Sequence, residues 1–219
     1  DIIDFTPELR AAAMEAVSDF RFGPNLYTPP SLSDAADGTR GVLSLPSSTG
    51  GANWEGAALD PETGIIYVPS RTALAILSVG NDPDSDLAYS MAFGVRVPRV
   101  QGLDVIKPPY GRITAIDMNT GAHSWMIPTG ETPNRIKNNP ALEGVDVGNT
   151  GTGALVPMVV TKNMLVYSDA ASDGTPMLYA INKETGEIME QIEAPARSSY
   201  GMSSWVHDGH QYIILQTGS

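Results

Sequence analysis

Residues 50–54 read Gly-Gly-Ala-Asn-Trp and run straight into Glu-Gly-Ala-Ala-Leu-Asp-Pro-Glu-Thr-Gly-Ile-Ile-Tyr-Val-Pro-Ser, two short β-type runs around a tight turn. A hairpin needs neither an amide nor an indole at its mouth. Asn53 brings a carboxamide with two N–H donors and an acceptor oxygen, and Trp54 a broad aromatic face; Gly50 and Gly51 keep the backbone thin beside them. These types can hold a flat, polar ligand, the amide donating to ring oxygens while the indole shields the ring. They also suit bland roles, with Asn53 as a turn residue at strand entry and Trp54 as packing between sheets. Gly51, Asn53 and Trp54 are the candidate ligand-binding residues.

Other chemistry is thin. His123, His207 and His210 fall on or beside hairpins, with no metal-like spacing to acidic partners. Arg40 and Arg71 have the charge to neutralise ligand carboxylates, but lone arginines at loop starts are usually solvated. Residues 81–86, Asn-Asp-Pro-Asp-Ser-Asp, have the spacing of oxygen ligands without the glycine and distal glutamate of a calcium loop. There is no Gly-x-Ser-x-Gly elbow, phosphate-binding Gly-Lys loop or zinc signature. The absence of cysteine removes thiolate metal sites, disulfides and covalent haem attachment. No catalytic residue and no metal ligand is assigned. With 13 Lys and Arg against 25 Asp and Glu, the net charge of -12 repels phosphate backbones and argues against nucleic-acid binding. No apolar run approaches the roughly 20 residues of a transmembrane helix.

The elements that must position Asn53 and Trp54 are mostly strands. Thr6 as N-cap, Pro7 in the first turn and Glu8 behind it predict a helix over about 7–20. Past a Pro-, Gly- and Ser-rich loop, five strand-turn-strand units follow, with turns at 61–64, 118–121, 161–163, 183–186 and 208–211. Two of them align at a fixed offset: Ala115 with Ala180, Asp117 with Asn182, Thr120 with Thr185 and Gly121 with Gly186. In each, glycine ends the turn and Asp or Asn bonds loop amides, so Asp60, Asp117 and Asn182 are read as turn formers. Two hairpins per repeat give four strands, the size of a β-propeller blade. The expected fold is all-β: a partial β-propeller of about two and a half four-stranded blades with a short N-terminal helix. Residues 1–40 form the helix and lead-in, and residues 41–219 the blades. The stretch 71–110 shows no periodicity and is expected to be a functional excursion or local disorder. Such an arc leaves sheet edges unpaired, so the chain is expected to belong to a longer propeller.

Residues 115–125, Ala-Ile-Asp-Met-Asn-Thr-Gly-Ala-His-Ser-Trp, fit the docking motif A-x-D-x-x-T-G-x-x-x-W. With the Gly-Gly-Ala-Asn-Trp hairpin and the 108–121 and 208–218 segments, this resembles the pyrroloquinoline quinone (PQQ) dependent dehydrogenases, in particular the glucose dehydrogenase-like quinoproteins. The resemblance implies that Asn53 and Trp54, with Gly51, line the cavity for PQQ, a planar o-quinone with three carboxylates. It implies oxidation of a sugar or alcohol, with an Asp base and calcium ligands upstream of this chain, which alone would be inactive. Electrons would pass to a cytochrome or ubiquinone, in the periplasm or another extracytoplasmic site, and the remaining propeller blades would be partners. The second repeat departs from the motif, with Asn182 for its Asp and Glu190 for its Trp, and residues 200–205, Tyr-Gly-Met-Ser-Ser-Trp, replace a Gly-x-Pro and Thr-Tyr pattern. These departures keep an alternative open: a non-catalytic quinoprotein-repeat propeller serving as a protein-interaction scaffold.

Overall fold

Thr6 Oγ1 accepts the Leu9 N–H at 3.2 Å and Pro7 sits in the first turn, and there the helix α1 (Pro7–Ala16) begins. In the computed structural model, which describes residues 1–22, 27–92 and 95–217, α1 stops four residues before the expected end. The cause is pairing. The Arg40 N–H donates to Asp19 O at 2.9 Å and Arg21 bridges Val42, so residues 19–21 lie alongside a neighbouring strand.

The described chain forms two compact units, residues 1–51 with 72–107, and residues 52–71 with 108–219. Unit one takes α1, β1 (Ser31–Leu32) and β2 (Val42–Ser44), after which β3 (Ala58–Asp60) and β4 (Ile65–Arg71) belong to unit two. The chain returns to unit one for β5 (Ala75–Gly80), β6 (Ser90–Met91), β7 (Arg99–Val100) and β8 (Leu103–Asp104). The rest is unit two: β9 (Gly111–Asp117), β10 (His123–Pro128), the short α2 (Asn134–Lys137), β11 (Met158–Val160), β12 (Met164–Ala170), β13 (Pro176–Asn182), β14 (Ile188–Glu193), β15 (Ser198–His207) and β16 (His210–Thr217).

In unit one, β5 lies between β1 and β2 and pairs with β6; β7 and β8 form a hairpin, with Ile3, Leu9, Ala13, Val17, Leu103 and Val105 buried. The segment expected to be irregular therefore carries four strands. Periodicity missed it because β6, β7 and β8 are only two residues long each, and the longer β5 pairs with β1 and β2 among residues 31–44, far off in sequence.

In unit two all five hairpins form. The sheets run β10-β9-β4-β3, β11-β12-β13-β14 and β15-β16, the first joining its two hairpins across the intervening 72–107 segment. Three of the five close with equivalent turns. Asp60 takes the Glu62 N–H and Thr63 hydroxyl, Asp117 the Asn119 N–H and Thr120 hydroxyl, and Asn182 the Glu184 and Thr185 N–H groups. Gly121 and Gly186 end their turns at φ of 73° and 79°, a backbone state that a side chain would disfavour.

The first two sheets share one apolar core. Ala58, Tyr67, Ile113 and Ala115 meet Val156, Met158, Leu165, Tyr167, Tyr179 and Ile181. Ala115 pairs with Tyr67 on one side and Trp125 on the other, and its small side chain lets those rings lie 5.6 Å apart. Trp125 Nε1 donates to Lys183 O at 3.1 Å and the Tyr67 hydroxyl donates to the same oxygen at 3.0 Å. A Cβ at Gly186 would fall 3.0 Å from Trp125 Cε3, so glycine is what lets the indole rest on the turn. Beneath it the Lys183 ammonium meets buried Asp60 Oδ2 at 2.6 Å. The second sheet has Glu190 in the place of Trp125, and β14 is exposed along its whole length.

Candidate functional site

Residues 52–57 feed β3, and the Gly56 N–H closes a turn onto Asn53 O at 3.1 Å. Asn53 and Trp54 sit side by side on this loop, both exposed, with Trp54 at 90%. Trp54 thus packs in neither unit's core. Gly51 ends the first segment of unit one, half-buried, just after Gly50 turns at φ 80° and donates to Ser47 O at 2.8 Å.

Glu55, next to Trp54, was not singled out by residue type or spacing. It is the one residue of 52–57 whose side chain is partly buried, and its Oε2 is shut off from solvent with no hydrogen-bond donor among the described residues. A signal was present, an acid directly after Asn-Trp, but only the loop's folding distinguishes it from a solvated glutamate.

A second polar cluster lies where β12 ends. Gly111 makes it possible: it pairs with Arg71, and its bare α-carbon lets Ala154 O and Gly153 N pass at 3.0 and 3.2 Å from where a Cβ would stand. That packing holds Thr152 beside Asp169, a wholly buried carboxylate. Thr152 Oγ1 donates to both carboxylate oxygens at 2.8 and 2.9 Å, the Ala170 N–H donates at 2.9 Å, and Arg197 Nη2 donates at 2.9 Å. Ser198 N–H donates to Ser168 Oγ at 3.1 Å, so the start of β15 is fastened to the same strand.

Burial pushes the Asp169 carboxyl up to about 6 from its ordinary 3.8, against the opposing pull of Arg197 and Thr152. A folded-state value above the unfolded one means the fold favours the protonated acid. Its contribution is fully present below pH 4 and is lost as pH rises through 6, in total roughly 2–3 kcal/mol at 1.36 kcal/mol per unit. Urea unfolding of wild type and Asp169→Asn from pH 4 to 7.5 checks this: the wild type should lose stability relative to the variant over that range, and parallel curves would contradict it.

Among the described residues, no group of three or more His, Cys, Asp or Glu side chains gathers to hold a metal ion. The acidic run at 81–86 folds into local turns instead, Asp82 accepting the Asp84 and Ser85 N–H groups through its side chain and carbonyl. No helix among the described residues is long and apolar enough to cross a membrane.

The residues present suit a planar, oxygen-rich cofactor: amide donors stand next to an uncovered indole at the entrance of a strand. Consecutive four-stranded antiparallel sheets, joined by an indole resting on the next sheet's turn, define a partial β-propeller. The chain belongs to the PQQ family, described as the glucose/ethanol/alcohol dehydrogenase β-propeller domain, which it matches over residues 1–213.

Among its relatives, the glycerol dehydrogenase large subunit of Gluconobacter thailandicus is 24% identical over 221 residues, covering 88% of this chain and 28% of that protein. The quinate/shikimate dehydrogenase (quinone) of Acinetobacter baylyi is 27% identical over 220 residues, covering 88% of this chain and 25% of that one. The solved quinohemoprotein alcohol dehydrogenase of Comamonas testosteroni shares the fold at a TM-score of 0.50 and 16% identity, covering 87% of this chain and 28% of that one. This chain thus spans about a quarter of the length of the curated relatives it matches.

Proposed function

We propose that this chain is part of a PQQ-dependent dehydrogenase oxidising a sugar or an alcohol, and that Asn53 and Trp54, with Gly51, form part of the cofactor wall. The exposed indole of Trp54 beside the Asn53 amide carries this reading. When bound, PQQ supplies the two-electron acceptor. Asn53 donates to its oxygens, Trp54 covers a ring face and keeps water from it, and the Gly50–Gly51 backbone leaves room beside them. The catalytic base and calcium ligands come from other sheets of a longer polypeptide, consistent with the quarter of the relatives' length spanned here. The chain alone would turn over no substrate. A cytochrome or ubiquinone takes the electrons, outside the cytoplasm.

A second reading, a cofactor-free propeller that binds proteins, is favoured by Glu190 standing where the first sheet has Trp125. Titration with PQQ, followed by quinone absorbance and tryptophan fluorescence, separates the two. The dehydrogenase reading expects micromolar binding that Asn53→Ala and Trp54→Ala each weaken about tenfold, the loss of roughly one good contact. No bound quinone at micromolar PQQ would leave the scaffold.

A further inference from the structure

We propose that His207 and His210, which face each other across the turn between β15 and β16, form a binding site for a borderline divalent transition-metal ion, Cu²⁺ ahead of Ni²⁺ or Zn²⁺, with the Asp208 carboxylate beside it. The inference is independent of the dehydrogenase reading, since it uses only the hairpin of β15 and β16.

Along the chain, the spacing of these two histidines gives no metal pattern; the hairpin makes them a facing pair. Asp208 and Gly209 stand at φ of 48° and 75°, the positive values of a two-residue turn whose twist matches its strands. That turn fixes the register, and His207 lies directly opposite His210. Residues so placed in an antiparallel pair share a face, with Cβ atoms roughly 4.5–5.5 Å apart. Two ring nitrogens bound to one ion at about 2.0–2.1 Å each stand about 3 Å from one another, a separation that imidazoles rooted this close can reach. Both histidines are exposed, the His207 side chain at 71%, so an ion reaches them without displacing a packed group.

The donor types select the ion. Imidazole suits copper, nickel and zinc, and for a given nitrogen site affinity peaks at Cu²⁺. Calcium, which takes about six to eight oxygen ligands, finds a single carboxylate on this turn. His207 Nε2 lies 3.4 Å from Asp208 Oδ2, so a cation held by the pair also meets a negative charge, and the net charge of -12 adds a favourable field. Among the described residues no three acidic or histidine side chains close round one point, so the protein gives two imidazoles and water fills the other positions. Such an open chelate binds more weakly than a closed four-ligand site. A bound ion pins the two strands at the tip of a hairpin that is exposed along most of its length. Two residues back from the tip on each strand, on the same face, Trp205 and Tyr212 stack at 5.1 Å, which sets a fluorophore beside the site.

Calorimetric titration of the whole chain with Cu²⁺ in a non-coordinating buffer tests this. One ion should bind with a dissociation constant of about 1–10 μM. His207→Ala and His210→Ala should each weaken that site at least about tenfold, because one imidazole cannot chelate, while His123→Ala leaves it unchanged. Electron paramagnetic resonance of the one-to-one complex should show two nitrogen ligands. Cu²⁺ should also quench Trp205 fluorescence, and Trp205→Phe should remove that quenching without changing the calorimetric constant. An unchanged circular dichroism spectrum shows that the histidine variants are folded, and the nitrogen count is read on the wild type. The proposal is overturned by a constant weaker than about 100 μM, by copper binding that both histidine variants retain, as an ion held at the chain's amino terminus would give, or by a single nitrogen in the resonance spectrum.

Discussion

Trp125→Ala is expected to destabilise the protein by roughly 3–5 kcal/mol, the range for removing a large aromatic from a packed site. Three losses coincide. The indole leaves its tilted contact with Tyr67 at 5.6 Å, its Nε1 bond to Lys183 O disappears, and a void opens over Gly186, which is bare so that the ring can lie on it. Tyr67 keeps its own bond to Lys183 O, so the two sheets stay tethered but lose packing. Urea unfolding followed by circular dichroism measures the loss. Trp125→Phe separates its parts: an aromatic ring is kept and the N–H removed, so about 1 kcal/mol should go, the net worth of one hydrogen bond. A Trp125→Ala change below 1 kcal/mol would show that the indole does not hold the sheets together.

The second large effect is electrostatic. Lys183→Met should cost roughly 3–5 kcal/mol, because it strands Asp60, a carboxylate about 5% exposed, without its ammonium partner at 2.6 Å. The pair's intrinsic worth is smaller than that figure. Removing both charges together, in Asp60→Asn with Lys183→Met, should recover most of the loss, since burying two ions costs nearly as much as their attraction returns. The pH dependence has a fixed sign. The Lys183 hydrogen bond leads in holding the Asp60 carboxyl below its ordinary 3.8, so this contribution is present above pH 4 and is lost as pH falls through the depressed value. Wild type should therefore weaken on acidification relative to the double variant, opposite in direction to Asp169. A double variant no more stable than Lys183→Met would overturn the account.

These two expectations concern one seam, and the sequence pattern contained half of it. Ala115, Asp117, Thr120 and Gly121 are tied by short-range spacing, so the turn and the strand pairing could be read from local order, while a docking role for Trp125 came only from the family resemblance. What the indole lands on could not be. Lys183 lies 58 residues from Trp125, and its carbonyl becomes the acceptor only when the second sheet stacks on the first. The Asp60–Lys183 pair, 123 residues apart, was equally hidden: Asp60 was read as a turn former, which it is, and its buried cation is a second role that only stacking supplies.

The candidate site divides in the same way. Asn53 and Trp54 were visible because amide and indole are unusual at a hairpin mouth, whereas Glu55 and Asp169 look like ordinary acids along a loop and a strand. Burial pushes the Asp169 carboxyl up, and folding closes the Glu55 Oε2 to solvent; both depend on what the rest of the chain places around them. Strand runs, turn chemistry and the four-strand repeat are set by neighbours a few residues apart, and the sequence by itself determined them. Burial, the Trp125 landing place, the enclosure of Asp169 and of the Glu55 Oε2, and the pairing of β5 with residues 31–44 depend on partners far away in the chain, and only the tertiary structure decided them.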